Sequence, residues 1–170
     1  MDVGEVLTDG FGRVKEVVHG VIDGLSPEDL TYRADDGANT IAWLTWHLTR
    51  VQDDHLADAF DVPQVWSDQG WAERAALPFP PDSTGYGHST QEVGSVRLPA
   101  DLLLGYHDAV HKRTTGLLAG VRTSDLDRIV DESWDPPVSL GVRLVSVIAD
   151  DLQHAGQAAY VRGLLERRRG

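Results

Sequence analysis

The sequence predicts an all-α protein, a four-helix bundle with a long crossover loop between its second and third helices. Four long stretches carry apolar residues at the three- and four-residue spacing of an amphipathic helix. No segment shows the alternation of a strand, and no internal repeat is found. The connection from Asp61 to Arg97 is long enough to cross a bundle, which is an architecture whose facing helices commonly build metal sites.

The first half of the chain predicts two long helices and one short one. The first long helix runs from about Val3 to Ile22 and ends near Gly24. Ser26 then caps a short helix, because Pro27 fits the first helical position. The second long helix follows Asn39, its predicted N-cap, and ends near Phe60; its apolar side carries Ile41, Leu44, Leu48, Val51 and Ala59.

The second half begins with the crossover, which is rich in Pro, Gly, Ser and Asp. It holds Trp66 and Trp71 in one short helix and a flexible segment at 84–88, and it is expected to be a lid, a pocket wall or a packed crossover. The third helix starts near Pro99 and ends near Gly120. An irregular stretch then leads to the fourth helix, from Leu140 to Arg167.

Composition excludes several classes of function. The 170 residues fit one domain spanning 1–170. A net charge of −12 disfavours nucleic acid and membrane surfaces as partners. No apolar run approaches the roughly 18 to 20 residues that a membrane span needs, and the first ten residues lack the basic and then apolar regions of a signal peptide, so we expect a cytoplasmic protein. The chain has no cysteine, so any thiol chemistry must arrive with a ligand.

The feature with the clearest potential for binding or catalysis is a pair of residues in the fourth helix, Asp150 and His154. Residues four apart share a helix face, with Cβ atoms about 5 to 6 Å apart, so the pair is able to chelate one ion or to form an ordinary surface contact. Helical phase places His154 inside the apolar arc and Asp150 at its edge, where a carboxylate needs a compensating partner. That predicted arc comprises Leu144, Val147, Ile148, Leu152, Ala155, Ala158, Ala159 and Val161.

Two histidines of the second helix compete to be the third ligand. His47 and His55 both point inward, but they lie about 12 Å apart along the axis and cannot bind the same ion. Periodicity alone does not choose between them.

A rival site lies in the third helix. His107-Asp108-Ala109-Val110-His111 resembles the H-E-x-x-H metal motif with Asp in place of Glu. The shorter acid would retract a general base, and no third ligand is near in sequence. Core packing or a polar network is the alternative interpretation.

Two segments carry a resemblance to a known family: IAWLTWHL at 41–48 and DDLQHAGQAAYVRG at 150–163. They resemble the DinB-like superfamily, which includes mycothiol-dependent maleylpyruvate isomerases and the mycothiol and bacillithiol S-transferases. The similarity is closest to an actinobacterial branch of unassigned function, which also shares PPDSTGYGH at 80–88 and WDPPVSLGVRLVSV at 134–147. It covers nearly the whole chain.

The resemblance implies a DinB-like four-helix bundle with a divalent metal held by His47, Asp150 and His154. Many relatives have His at position 150, whereas the isomerase branch has a carboxylate, so this chain follows the His-carboxylate-His version. We expect zinc, with nickel and manganese as alternatives. An open position for water or thiolate implies a metal-dependent thiol S-transferase or isomerase with mycothiol as co-substrate and a small electrophile.

Other candidates are less specific. Asp54 is a candidate base, Gln157 a candidate ligand-orienting group, and Arg162 a candidate contact for an anion or for an acid on another helix. Tyr86 and His88 are candidates to close over a pocket. The alternative function is a non-catalytic bundle that binds a metal or small ligand in stress or detoxification. Related bundles often pair with a second copy, so a homodimer is an expectation that nothing in the sequence demands.

Overall fold

The computed structural model describes residues 1–169 and confirms the predicted all-α bundle. Four long helices are joined by four short ones and a two-stranded ladder. In chain order the elements are α1 (Val3–Ile22), α2 (Pro27–Leu30), α3 (Ile41–Phe60), α4 (Val65–Asp68), α5 (Trp71–Ala75), α6 (Thr90–Ser95), α7 (Ala100–Leu118), β1 (Ile129–Asp131), β2 (Val138–Ser139) and α8 (Leu140–Arg169).

The bundle is arranged so that α1 and α3 each pack against both α7 and α8. The core between them is apolar, and burying each such side chain contributes about 1.5 to 3 kcal/mol. The packing of α3 on α8 brings the second and fourth long helices together. Buried residues of this core include Phe11, Val14, Leu44, Leu48, Leu103, Val110, Leu144 and Val147.

The helices α1 and α3 each begin after a residue whose side chain caps the helix, and the predicted cap of α3 is wrong. Asp2 accepts the Glu5 N–H at 2.9 Å, and Glu5 in turn accepts the Asp2 N–H at 2.8 Å, which is a capping box. Asn39 is wrong as the N-cap of α3. Thr40 takes that position, because its hydroxyl oxygen accepts the Trp43 N–H at 3.0 Å.

The two strands were not expected, and they position the start of α8. β1 pairs antiparallel with β2, and the backbone N–H of Leu140 donates to the Arg128 carbonyl at 2.8 Å. Strands of three and two residues are too short to show an alternating pattern. The sequence therefore does not predict this ladder, although the ladder fixes the position where α8, the longest helix, begins.

The crossover is packed rather than loose. The predicted single short helix is wrong, since Trp66 lies in α4 and Trp71 in α5. The Asp53 carboxylate of α3 accepts the backbone N–H groups of Val65 and Trp66 at 2.8 and 2.7 Å. This buried side chain anchors the crossover to the helix that precedes it.

The inward face of α8 is narrower than the predicted apolar arc. Leu152 is 38% exposed and Ala159 is also exposed, so the prediction that both lie on the inward apolar arc is wrong. The seam that contacts α1 and α3 instead includes Asp151, whose carboxylate is fully buried with no hydrogen-bond partner among residues 1–169. Burial raises the pKa of Asp151 well above its usual value, which favours the neutral acid. The buried residues of α8 are Leu140, Leu144, Val147, Asp151, Ala155, Ala158, Val161 and Leu165.

None of the helices within residues 1–169 has the length and apolarity needed to span a bilayer.

His107 of α7 is a core residue. It is fully buried, and its Nδ1 lies 3.1 Å from the Thr49 hydroxyl. Because Thr49 donates its own hydrogen to the Thr45 carbonyl at 2.8 Å, the imidazole Nδ1–H is the donor in this contact. Burial lowers the pKa of His107 to about 3, so the ring is neutral in the folded protein at neutral pH.

This burial predicts a pH-dependent stability. Between the ordinary pKa of 6.5 and about 3, the unfolded chain binds a proton at His107 that the folded chain excludes. Stability is therefore fully present above pH 6.5 and is lost as the pH falls, by roughly 2 kcal/mol between pH 6.5 and 5. Urea unfolding in EDTA should show this loss in wild type and a smaller one in His107→Asn, which keeps an N–H donor. Equal slopes in the two proteins would contradict the assignment.

Candidate metal centre

His47 on α3 and Asp150 and His154 on α8 converge at one point. One ligand atom from each lies within 4.8 Å of the other two, and no other such group of three is found among residues 1–169. The rings of His47 and His154 have centroids 4.8 Å apart at an interplanar angle of 74°. Asp150 and His154 thus lie beside His47 where α3 packs against α8.

His47 is held in one orientation by the crossover loop. Its Nδ1–H donates to the Thr84 carbonyl at 2.6 Å, so Nε2 carries the free lone pair. The Trp43 ring stacks on the same imidazole, with the ring centroids 4.5 Å apart and an interplanar angle of 15°. Burial lowers the pKa of His47, which keeps the imidazole neutral at neutral pH, as a metal ligand must be.

His154 is oriented by its own helix. Its Nδ1 lies 2.9 Å from the Gln157 amide oxygen, which only accepts, so Nδ1 carries the hydrogen and Nε2 is again free. That Nε2 is 3.6 Å from Asp150 Oδ1, too far for a hydrogen bond. Gln157, a candidate from the sequence, therefore contacts His154 itself.

These donors fit a divalent transition metal. Asp150 Oδ2 is buried and has no hydrogen-bond partner among the described residues, a costly arrangement that a cation would relieve. Two imidazole nitrogens and one carboxylate oxygen are a three-ligand set of the kind that catalytic zinc uses. Two bonds of about 2.1 Å span at most about 4.2 Å, so small side-chain movements close the set from 4.8 Å.

The loop tip that supports His47 requires glycine at one position. Gly85 has φ +94°, and a Cβ there would lie 2.9 Å from His47 Nδ1 and 2.9 Å from the Trp46 ring. His88 also joins the loop tip to α3, because its Nδ1 accepts the Trp43 indole N–H at 3.2 Å. Sequence reasoning missed the roles of Thr84, Gly85 and Trp43; the two glycines around Tyr86 were the available signal.

A groove of about 910 Å³ opens beside the centre and includes His47 and Asp150 in its wall. Tyr86, 93% exposed, and Trp134, 64% exposed, provide aromatic surface. The groove is acidic: its one arginine, Arg143, is paired with Asp131 at 2.5 Å. The carboxylates that line it are Asp54, Asp58, Asp61, Asp131 and Asp150.

His55 and Asp54 line the same groove without joining the three donors. His55 Nδ1 is 3.8 Å from Asp54 Oδ2, and burial lowers the pKa of His55. Asp54 Oδ1 accepts the Gln64 amide N–H at 2.8 Å. The geometry places His47, and not His55, with Asp150 and His154.

Arg162 is engaged away from the groove. Its Nη1 donates to the carbonyls of Gly20, Val21 and Asp23 at 2.7, 2.8 and 2.8 Å, where α1 ends, and its Nε pairs with Glu166 at 2.7 Å. These bonds satisfy helix-end carbonyls that would otherwise lack partners. The guanidinium is thus used to join α8 to α1.

The motif of the third helix is divided between two surroundings. Asp108 pairs with Lys15 at 3.0 Å and His19 at 2.8 Å on α1, while His107 bonds to Thr49 in the core. Neither His107 nor His111 falls in a group of three ligand atoms within the described chain. The polar-network interpretation fits this arrangement.

Comparison with known proteins gives matches to a family model and to solved structures. A family model described as mycothiol-S-transferase matches residues 6–167. A crystal structure of a conserved protein from Enterococcus faecalis is similar, with 28% identity, a TM-score of 0.88, and coverage of 95% of this chain and 96% of that one. No curated protein matches.

Single replacement of His47, Asp150 or His154 by Ala should abolish tight metal binding. Losing a neighbour of a ligand already costs about 10- to 100-fold in affinity, so losing a ligand should cost at least about 100-fold. Metal content would be measured by elemental analysis after dialysis against zinc and then buffer. His107→Asn and His111→Gln serve as controls and should retain wild-type content; the reverse pattern would move the centre to α7.

Gly85→Ala should weaken zinc binding by roughly 10- to 100-fold, because the new methyl displaces His47. Gly87→Ala is the matched control: it also has positive φ, at +75°, but no atom lies within 4 Å of its Cβ position. In both variants the positive φ destabilises the folded backbone by about 1 to 2 kcal/mol. Zinc titration with a competing chelator measures the affinity, and equal losses in the two variants would show that contact with His47 is irrelevant.

Proposed function

The chain belongs to the mycothiol-S-transferase family, and we propose that it transfers a low-molecular-weight thiol, mycothiol in the first instance, onto a small electrophile in the cytoplasm. The observation that carries this proposal is the convergence of His47, Asp150 and His154 at the wall of a groove of about 910 Å³. Three protein donors leave room for a substrate atom as a further ligand. The groove provides space for the rest of that substrate.

The donor set favours zinc, with nickel or manganese as alternatives. Two neutral imidazoles and one carboxylate leave a bound divalent ion with a net charge of about +1. An ion held by His47, Asp150 and His154 would supply Lewis acidity that keeps a substrate thiol deprotonated and nucleophilic at neutral pH. Because the chain has no cysteine, that thiol must be supplied by the substrate.

The protein's own residues prepare this centre before substrate arrives. Thr84 and Gln157 accept from the two Nδ1–H groups and direct both Nε2 atoms to one point. Trp43 stacks on the His47 ring, and Gly85 at the loop tip packs against the same imidazole. Holding ligands in place beforehand reduces the reorganisation needed when substrate binds.

The charge of the groove supports mycothiol over other thiols. Within residues 1–169, Asp54, Asp58 and Asp61 have no cationic partner other than His55, whose pKa is lowered by burial. Glutathione and bacillithiol bear carboxylates that these side chains repel, whereas mycothiol bears none. At distances near 10 Å, each pair of like charges costs about 0.4 kcal/mol in water, so the three carboxylates together cost about 1.2 kcal/mol, which is enough for discrimination approaching tenfold at low salt. Electrophiles are expected to be neutral or cationic for the same reason.

The proposal is tested by the conjugation of monochlorobimane with each of the three thiols. Zinc-loaded protein should give the highest kcat/KM with mycothiol, roughly tenfold above glutathione and bacillithiol at low salt. Protein stripped of metal, and the His154→Ala variant, should be inactive. Retention of metal without turnover of any thiol would favour the alternative, a non-catalytic metal- or ligand-binding bundle.

The role of groove charge is tested by Asp58→Asn combined with Asp61→Asn. This variant should turn over glutathione several-fold faster relative to mycothiol, because repulsion between like charges is reduced. Glu16→Gln with Glu28→Gln is the matched control, since it changes net charge equally at exposed residues outside the groove. An equal change in both variants would assign the effect to overall charge.

A further inference from the structure

Arg50 of α3 is a fully buried arginine whose guanidinium binds the crossover at two places. Its Nε donates to the Ser83 carbonyl at 3.1 Å, and its Nη1 donates to the side-chain oxygen of Gln64 at 2.8 Å. Gln64 lies near the start of the crossover, whereas Ser83 is the first residue of the loop tip, residues 83–88. One side chain therefore joins two separate parts of the crossover to α3.

The loop tip lies along a single face of α3. Trp43, His47 and Arg50 share this face, because they follow one another at steps of four and three residues. Each of them donates a hydrogen bond to the loop tip, and the acceptors, in the same order, are His88 Nδ1, the Thr84 carbonyl and the Ser83 carbonyl. Because the last two acceptors belong to consecutive residues, a bond that holds one carbonyl restricts the position of the next.

The burial of a cation at Arg50 is not explained by stability alone. Its Nη2 has no hydrogen-bond partner among residues 1–169, and its Nη1 lies 3.7 Å from the carboxylate of Asp53. A buried ion pair is often no more stabilising than apolar side chains of the same volume. An apolar side chain would fill the same space, but it would not bind the Ser83 carbonyl.

The planar shape of the guanidinium explains why this residue is an arginine. Its nitrogens donate in fixed directions within one plane, and two of them meet Ser83 and Gln64. The Trp66 ring packs against this group, with Cζ of Arg50 5.2 Å from the ring centroid. A lysine ammonium is a single point of charge and does not reproduce this geometry.

We propose that Arg50 is a positioning residue of the metal centre. By holding the Ser83 carbonyl, it places the Thr84 carbonyl where His47 Nδ1–H donates, and this bond directs Nε2 of His47 toward the other two donors. The inference rests on the proposed function, since it gives Arg50 a part in preparing the ligands of a metal ion. Arg50 is not one of the donors; it acts by selecting the tautomer of His47.

The tautomer of His47 in metal-free protein tests this role without metal or activity. NMR of protein with isotope-labelled histidine, in EDTA at neutral pH, should show one His47 tautomer in wild type, with the hydrogen on Nδ1. Arg50→Lys, which keeps a cation beside Asp53, should lose this single tautomer and give a mixture. The signals of His47 are identified by their absence in His47→Asn.

Tyr106→Phe is the matched control, because it weakens the same buried network at another point. The Tyr106 hydroxyl accepts from Arg50 Nη1 at 3.3 Å and donates to Asp53 at 2.8 Å, and no hydrogen bond joins it to Ser83 within residues 1–169. Both variants should lower Tm by a few degrees, but only Arg50→Lys should change the His47 tautomer. An equal change in Tyr106→Phe would assign the effect to general loosening of the crossover and overturn the proposal.

Zinc titration with a competing chelator gives the second measurement. Arg50→Lys should bind zinc about 10- to 100-fold more weakly than wild type, whereas Tyr106→Phe should retain wild-type affinity. An unchanged His47 tautomer, or wild-type zinc affinity, in Arg50→Lys would overturn the proposal. Failure of the wild type to bind zinc would instead overturn the proposed function, and the NMR comparison would still decide whether Arg50 orients His47.

Discussion

The hydrogen bond from His47 Nδ1 to the Thr84 carbonyl is the contact on which the centre depends. At 2.6 Å it fixes the imidazole so that Nε2 faces Asp150 and His154. The bond exists because Gly85 adopts a positive φ and leaves no Cβ against the ring. The three donors lie on helices that the core already holds together. One backbone carbonyl of the crossover then fixes the His47 ring, so the geometry of the donors depends on the folding of this long loop.

Much of the fold was predictable because the long helices are strongly periodic and clearly capped. The failures have physical causes. The two strands are too short for a pattern, and Thr40 rather than Asn39 caps α3 because both are good capping residues. The sequence predicts Leu152 in the apolar arc because its hydrophobicity does not show which face of α8 the fold buries.

The site was predictable only in part. The spacing of Asp150 and His154 gave the pair, but the choice of His47 over His55 needed either the family resemblance or the packing of α3 on α8. The supporting contacts of Thr84 and Trp43 depend on a backbone carbonyl and on ring stacking, which leave no motif in a sequence. The acidity of the groove likewise arises from residues of α3 and the crossover that come together only in the fold.

The metal centre is tested most sharply by a crystal structure of the zinc-soaked protein with anomalous data at the zinc edge. One strong peak should lie within bonding distance, about 2.0 to 2.2 Å, of Nε2 of His47, Nε2 of His154 and a carboxylate oxygen of Asp150. No peak at these residues, or a single peak at His107 and His111 instead, would show that these three residues are not the metal ligands.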